Sequence, residues 1–273
     1  MPRCADPGCG RWRPERLAPR WATGLRFNER WYCSRTCVEH AVRARLDAPT
    51  PAAAVPPLPP LRLGVLLRHL GVLTEEQLTA ALAAQKRSGR KLGDELLAQA
   101  VVPGEAVLRA LAAQANVSYL ASFDVTRVAQ GPAWLPVETV RALGLVPFET
   151  DEAEKRVKVI CAAPVPKAAL RALTKLTGWL PEPYLVDDRV FEEALRNYRS
   201  TDGDETAVGA TRVTDVASAV ARVAEAALVD RAVTMRHASY DRYTWVRVEG
   251  AQHWSDVWIT GQEEPCLAQH TAH

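Results

Sequence analysis

Two sets of residues in this 273-residue chain have the types and spacings that support chemistry. The first is Cys4, Cys9, Cys33 and Cys37, two close pairs separated by 23 residues. Two thiolate pairs joined by a loop are what a tetrahedral Cys4 site needs, and zinc is the ion that donor set suits. Gly8 and Gly10 flank Cys9, where a tight knuckle needs permissive backbone. Cys33 to Cys37 runs into Val38–Leu46, which reads as a helix. Cys37 then falls in its first turn, where the helix dipole favours thiolate. His40 is the alternative ligand. Four protein ligands leave no open position, so the expected role of the metal is structural.

The second set is a duplication. Residues 62–85 and 91–114 are 24 residues each, separated by five, and agree at ten of 24 positions. Each copy opens with a base, Leu and Gly and ends in Gln (Gln85, Gln114). The Arg62 guanidinium can stack on a planar base or grip its edge and phosphates. Leu63, Leu78 and Leu82 can pack on a base face, and Gly64 lets backbone approach a ligand. Lys91, Leu92, Gly93, Val107 and Leu111 hold the matching places in the second copy. Two such half-sites suit a ligand with two similar halves. The plainer alternative is a duplicated helix-turn-helix packing unit, with leucine at helical spacing because leucine makes core.

The elements that must position these residues are legible in outline. Each copy reads as a short amphipathic helix, a turn and a second helix. Thr74 to Gln77 forms a capping box, and Pro103 suits the first turn of the matching helix. The cysteines belong to a knuckle, a hairpin through Arg26–Tyr32 and a helix. That arrangement resembles a small treble-clef zinc finger.

The 24-5-24 tandem resembles the MshEN domain, the N-terminal part of many type II secretion and type IV pilus assembly ATPases. In that family the tandem motif binds cyclic di-GMP, one copy per GMP half. The resemblance implies a ligand site at Arg62, Leu63, Gly64, Leu78, Leu82, Gln85, Lys91, Leu92, Gly93, Val107, Leu111 and Gln114. It continues through Leu143–Phe148, Lys155–Ile160, Leu173–Gly178, Leu185–Val186 and Phe191–Tyr198, which read as strands and helices of a following α/β half. It covers about half of the chain. Three departures weaken the second half-site. Lys91 stands where the motif usually has Arg, and it lacks the flat fork. Ala100 replaces the glycine matched by Gly71, and Val107 replaces Leu.

The expected fold class is α+β and helix-rich. A finger (1–47) precedes a linker (48–60) with six prolines in thirteen residues, which favours extended polyproline II. An MshEN-like domain (61–199) follows, with its duplicated helical subdomain ahead of a small α/β subdomain. A second linker (200–212), a helix-strand-strand element (213–250) and a tail (251–273) complete the chain. Trp254 and Trp258 fall in that tail, either at an interface or in a core. Cys161 reads as core, and Cys266 has no obvious partner. His69 reads as solvated; His237, His253, His270 and His273 are scattered.

Several classes are excluded or disfavoured. There is no Gly-x4-Gly-Lys-Ser/Thr phosphate loop, no Gly-x-Ser-x-Gly elbow and no His-Glu-x-x-His, so an enzyme is the least supported class. No apolar run reaches a membrane span, and Met1–Cys4 lacks a signal core, which makes a cytoplasmic protein the default. The net charge of +2 implies no polyelectrolyte binding to nucleic acid. Three functions remain. The first is a non-enzymatic cyclic di-GMP sensor or adaptor working with a protein partner in a secretion or pilus machine. The second is a docking protein of the same fold that binds no nucleotide. The third is a zinc-finger nucleic-acid binder using the ten arginines that face five acidic residues over 1–47.

Overall fold

The computed structural model describes residues 3–12, 24–48, 61–128, 132, 134–198, 210–240, 243–251 and 254–260. Nearly all of the proline-rich linker, most of the second linker, and His253, Cys266, His270 and His273 lie outside the described residues. The fold is α+β.

The first two helices are α1 (Arg35–Leu46), which follows the knuckle, and α2 (Leu63–His69), which opens the repeat. The repeat continues as α3 (Glu75–Ser88), α4 (Leu92–Ala98) and α5 (Gly104–Ala115). Helices as short as α2 and α4 do not persist alone and need tertiary packing. That packing is duplicated with the sequence. Leu67 and Leu96, Leu73 and Val102, and Ala81 and Ala110 are matched positions, and all six are buried. The copies interlock, since α2 lies against α5 and α3 against α4. Thr74 and Gln77 complete their capping box at the start of α3. Pro103 is the N-cap of α5, one position ahead of the expected first turn.

The α/β part contains β3 (Ser118–Tyr119), α6 (Val137–Leu143), β4 (Val146–Asp151), β5 (Arg156–Cys161), α7 (Lys167–Thr177), β6 (Leu180–Leu185) and α8 (Asp188–Asn197). Its strand order is β3-β6-β5-β4, parallel except for β4, which forms an antiparallel pair with β5. Gly178 ends α7 at φ +77, a backbone conformation that costs a side chain energy. Cys161 is fully buried in this core, and burial pushes its thiol up to about 12.

The ends of the chain differ from the expected modules. Strands β1 (Leu25–Phe27) and β2 (Arg30–Tyr32) form the hairpin of the finger. They join β7 (Thr211–Val213), β8 (Ala232–Tyr240), β9 (Tyr243–Gly250) and β10 (Trp254–Thr260) in one sheet, ordered β2-β1-β8-β9-β10-β7. Residues 254–260 are therefore a central strand rather than tail. Residues 211 and 212, expected in a linker, belong to the edge strand β7. The finger is not a tethered module, because β1 pairs in parallel with β8 and Asn28 Oδ1 accepts the Met235 amide at 2.7 Å. The sheet also has two covered faces. Val246, Val248 and Val257 meet α1 and α9 (Val216–Asp230), while Trp245 and Trp258 pack into the α/β core. Alternation along β9 and β10 requires this split, because successive side chains leave a strand on opposite faces.

Candidate ligand and metal sites

The knuckle brings the four cysteines together. Their Sγ atoms all lie within 4.8 Å of one another, with Cys9–Cys33 at 3.5 Å and Cys33–Cys37 at 3.7 Å. A zinc–sulfur bond of about 2.3 Å in a regular tetrahedron sets sulfur–sulfur edges of ~3.8 Å, so the cluster has the size of a four-thiolate site. Backbone supports it, since the Cys33 amide donates to Cys4 Sγ at 3.4 Å. The Ser34 side chain caps α1 by accepting from the Cys37 amide. These four residues can hold one metal ion, and they leave no coordination position for substrate.

Two expectations about this cluster are corrected. His40 is not a ligand; its Nδ1 meets Asp6 Oδ2 at 2.9 Å. Asp6 is buried, and the His40 contact holds its carboxyl below the usual carboxylate range. Nor does the helix start lower the Cys37 thiol in the metal-free cluster. Burial pushes it up, outweighing the Ser34 hydroxyl, which acts to lower it. Cys33 is raised by burial as well, while the Arg11 amide lowers Cys9.

The repeat residues come together in a pattern that only the fold reveals. Gln85 Nε2 donates to the Arg90 carbonyl at 3.0 Å, and Gln114 Nε2 donates to the Leu61 carbonyl. Arg90 and Leu61 are matched positions, each just ahead of its copy's opening base. Each terminal Gln therefore holds the opening of the other copy, and the pair is related by an approximate two-fold. No sequence signal at Leu61 or Arg90 gives this away, because the acceptors are backbone.

The glycines also have a packing role. A Cβ on Gly64 would lie 2.6 Å from Leu78 Cδ1, and one on Gly93 would lie 3.3 Å from Val107 Cγ1. Their missing side chains admit the neighbouring helix of the same copy, so helix packing by itself accounts for glycine at these two positions. What remains open is polar and apolar surface beside it. Arg62 and Lys91 are exposed N-cap residues, and neither side chain has a hydrogen-bond or ion-pair partner among the described residues. Leu82 is 41% exposed, and Leu63, Leu78 and Leu92 are half-buried.

The two half-sites are unequal. Val107 is buried, and Leu111 packs against the α/β core as well as the repeat core. Helix α5 is covered because it lies against β3 and β6, whereas among the described residues α3 lies mainly against α4. Ala100 adopts φ 52 where Gly71 adopts φ +70, so the second copy keeps the turn without its glycine.

Comparison with known proteins places this geometry in context. No protein-family profile matches the chain. It is 27% identical over 137 residues to the type IV pilus assembly ATPase PilB of Thermus thermophilus, a match covering 50% of this chain and 15% of PilB. Among solved structures it is similar to MshE with cdg, at 26% identity, a TM-score of 0.41, and coverage of 51% of this chain and 99% of that one. It is also similar to the N-terminal domain of XpsE, at 15% identity, a TM-score of 0.36, and coverage of 50% and 93%. Among the described residues no helix is long and apolar enough to cross a membrane.

Proposed function

We propose that this chain is a non-enzymatic sensor or adaptor that binds cyclic di-GMP across its two repeat half-sites and acts with a protein partner of a type IV pilus or type II secretion machine. The observation that carries the reading is the approximate two-fold of the repeat. It presents two unpaired cations, Arg62 and Lys91, at matched positions. A ligand with two similar halves has the symmetry to meet both. The MshEN-like tandem and the similarity to a pilus assembly ATPase supply the ligand and the machine. The cysteine cluster takes zinc in a structural role, closed by Cys4, Cys9, Cys33 and Cys37.

In this reading Arg62 stacks on or grips one guanine, with Leu63, Leu78 and Leu82 as its apolar floor. Lys91 supplies charge alone to the other half. Titration calorimetry with cyclic di-GMP tests it. The expected result is saturable binding of one ligand per chain, lost in Arg62→Ala and weakened less in Lys91→Ala. Absence of binding at tens of micromolar would sink the sensor. A second reading is then favoured by the filled glycines: a docking protein in which the tandem is purely a packing unit.

A further inference from the structure

Strand β9 turns Trp245, Arg247 and Glu249 toward the α/β part. Arg247 is 4% exposed and is held by the fully buried Asp256, with Nε donating to Oδ1 at 2.8 Å and Nη2 to Oδ2 at 2.9 Å. Nη2 also donates to the Trp134 carbonyl at 2.8 Å. Of the five guanidinium N–H groups, the two on Nη1 have no acceptor among the described residues. Arg247 forms part of the wall of a cavity of about 360 Å³ between the six-stranded sheet and the α/β part, with Trp134, Trp179, Trp254, Thr177 and Glu249. Trp134 and Trp179 are stacked with centroids 4.8 Å apart, and the guanidinium lies 4.6 Å from the Trp254 centroid. Glu249 gives Oε2 to Arg236 at 2.7 Å, while Oε1 has no donor among the described residues.

This wall selects its ligand by chemistry. Indole surface favours a flat ring by stacking. A simple anion meets the Glu249 carboxylate, and a simple cation meets Arg247. A purely apolar ligand covers Arg247 Nη1 and Glu249 Oε1 without giving either a partner, which is costly. A flat ring that accepts at one edge and donates at the next satisfies all three features. Arg247 and Glu249 are two residues apart on one strand face, about 6.6 Å along the strand. Guanine offers O6 and N7 to a guanidinium and its N1–H and amino group to a carboxylate. Adenine would present an amino group where Arg247 needs an acceptor.

We propose that this junction cavity binds the base of a guanine mononucleotide. The volume lies within the ~300–1,000 Å³ of small-molecule sites, and such sites favour domain junctions. The proposal uses none of the repeat residues and stands apart from the reading of that site.

Calorimetry of the full chain with GMP and AMP tests it. The expected result is one GMP per chain, bound at least tenfold more tightly than AMP. Trp179→Ala weakens both nucleotides at least fivefold, and Glu249→Ala brings GMP to within threefold of AMP. Thermal melts confirm that each variant folds, and Trp179→Ala carries the test if Glu249→Ala does not. No saturable binding, equal affinities, or GMP binding indifferent to both variants would overturn the proposal. Tighter binding of a guanine-containing single-stranded tetranucleotide than of GMP would overturn the mononucleotide assignment in favour of nucleic acid.

Discussion

The helical repeat and the cysteine-bearing sheet reach their cores by opposite routes. In the repeat, residues at most 53 apart meet, as Gln114 meets Leu61, and matched positions of two copies fill one interior. In the sheet, Asn28 meets Met235 across 207 residues, and β1 and β2 complete a sheet whose remaining strands begin at Thr211. The first region keeps its unpaired cations on exposed short helices. The second has its thiols beside a buried apolar core. Local duplication thus places an accessible, two-fold surface, whereas closure of distant ends builds a rigid frame. The frame depends on whatever pins the knuckle.

That dependence gives the largest expected effect. Chelation, or Cys37→Ser, should remove several kcal/mol from the sheet assembly, because metal binding and folding are coupled at such sites. Hydrogen exchange should lose protection in β1, α1, α9 and β8–β10 while α2–α5 keep theirs. A uniform loss across both regions would break the comparison.

Next comes the joint between the frame and the α/β part. Thr139 Oγ1 donates to Asp256 Oδ2 at 2.9 Å, and Trp258 Nε1 donates to Thr139 Oγ1 at 3.1 Å. Asp256→Asn leaves Arg247 charged and buried without its counter-ion, which costs roughly 3–5 kcal/mol. Urea denaturation measures the loss; a change below about 1 kcal/mol would mean that the pair is solvated and the joint loose.

Smaller effects test the repeat's symmetry. Gln85→Ala and Gln114→Ala should each cost about 1 kcal/mol, the worth of one hydrogen bond, and by similar amounts. A large inequality would show that the two-fold is nominal. At the turn the symmetry is already imperfect. Ala100→Gly should stabilise by about 0.5–1 kcal/mol by relieving a left-handed alanine, and Gly71→Ala should do the reverse. Equal melting temperatures for Ala100→Gly and the parent would show that this turn relaxes without cost.

Legibility in the sequence follows the same division. The tandem, its capping box, the glycine ends and the alternating strands of the α/β part are local patterns, and local patterns are read from spacing. The four cysteines were legible because thiolate pairs have few other uses at that spacing. The joining of β1 to β8 was not legible, since three residues of hairpin carry no signal of a partner two hundred positions away. β10 was missed because Trp254–Thr260 alternates over only seven residues beside a polar end. The cross-copy glutamine bonds were missed because a backbone carbonyl has no sequence signature. The packing of Leu78 and Val107 against the repeat glycines carries no sequence signal, because it depends on how the two helices of each copy cross.

The smallest expected effect is a pH dependence that belongs to the frame alone. His237 lies on β8, half-buried, and burial lowers its pKa first, with Lys175 and Arg45 adding to the shift. Its neutral form is therefore favoured in the folded chain. With the folded pKa below the ordinary 6.5, the unfolded chain takes up the proton first as pH falls. The stability contribution is intact above pH 6.5 and is lost as pH drops through the folded value. His237→Gln should flatten that slope in urea midpoints measured downward from pH 7, while α2–α5 exchange stays unchanged. An undiminished slope in His237→Gln would assign the dependence to other groups and leave the frame without a titrating residue at this position.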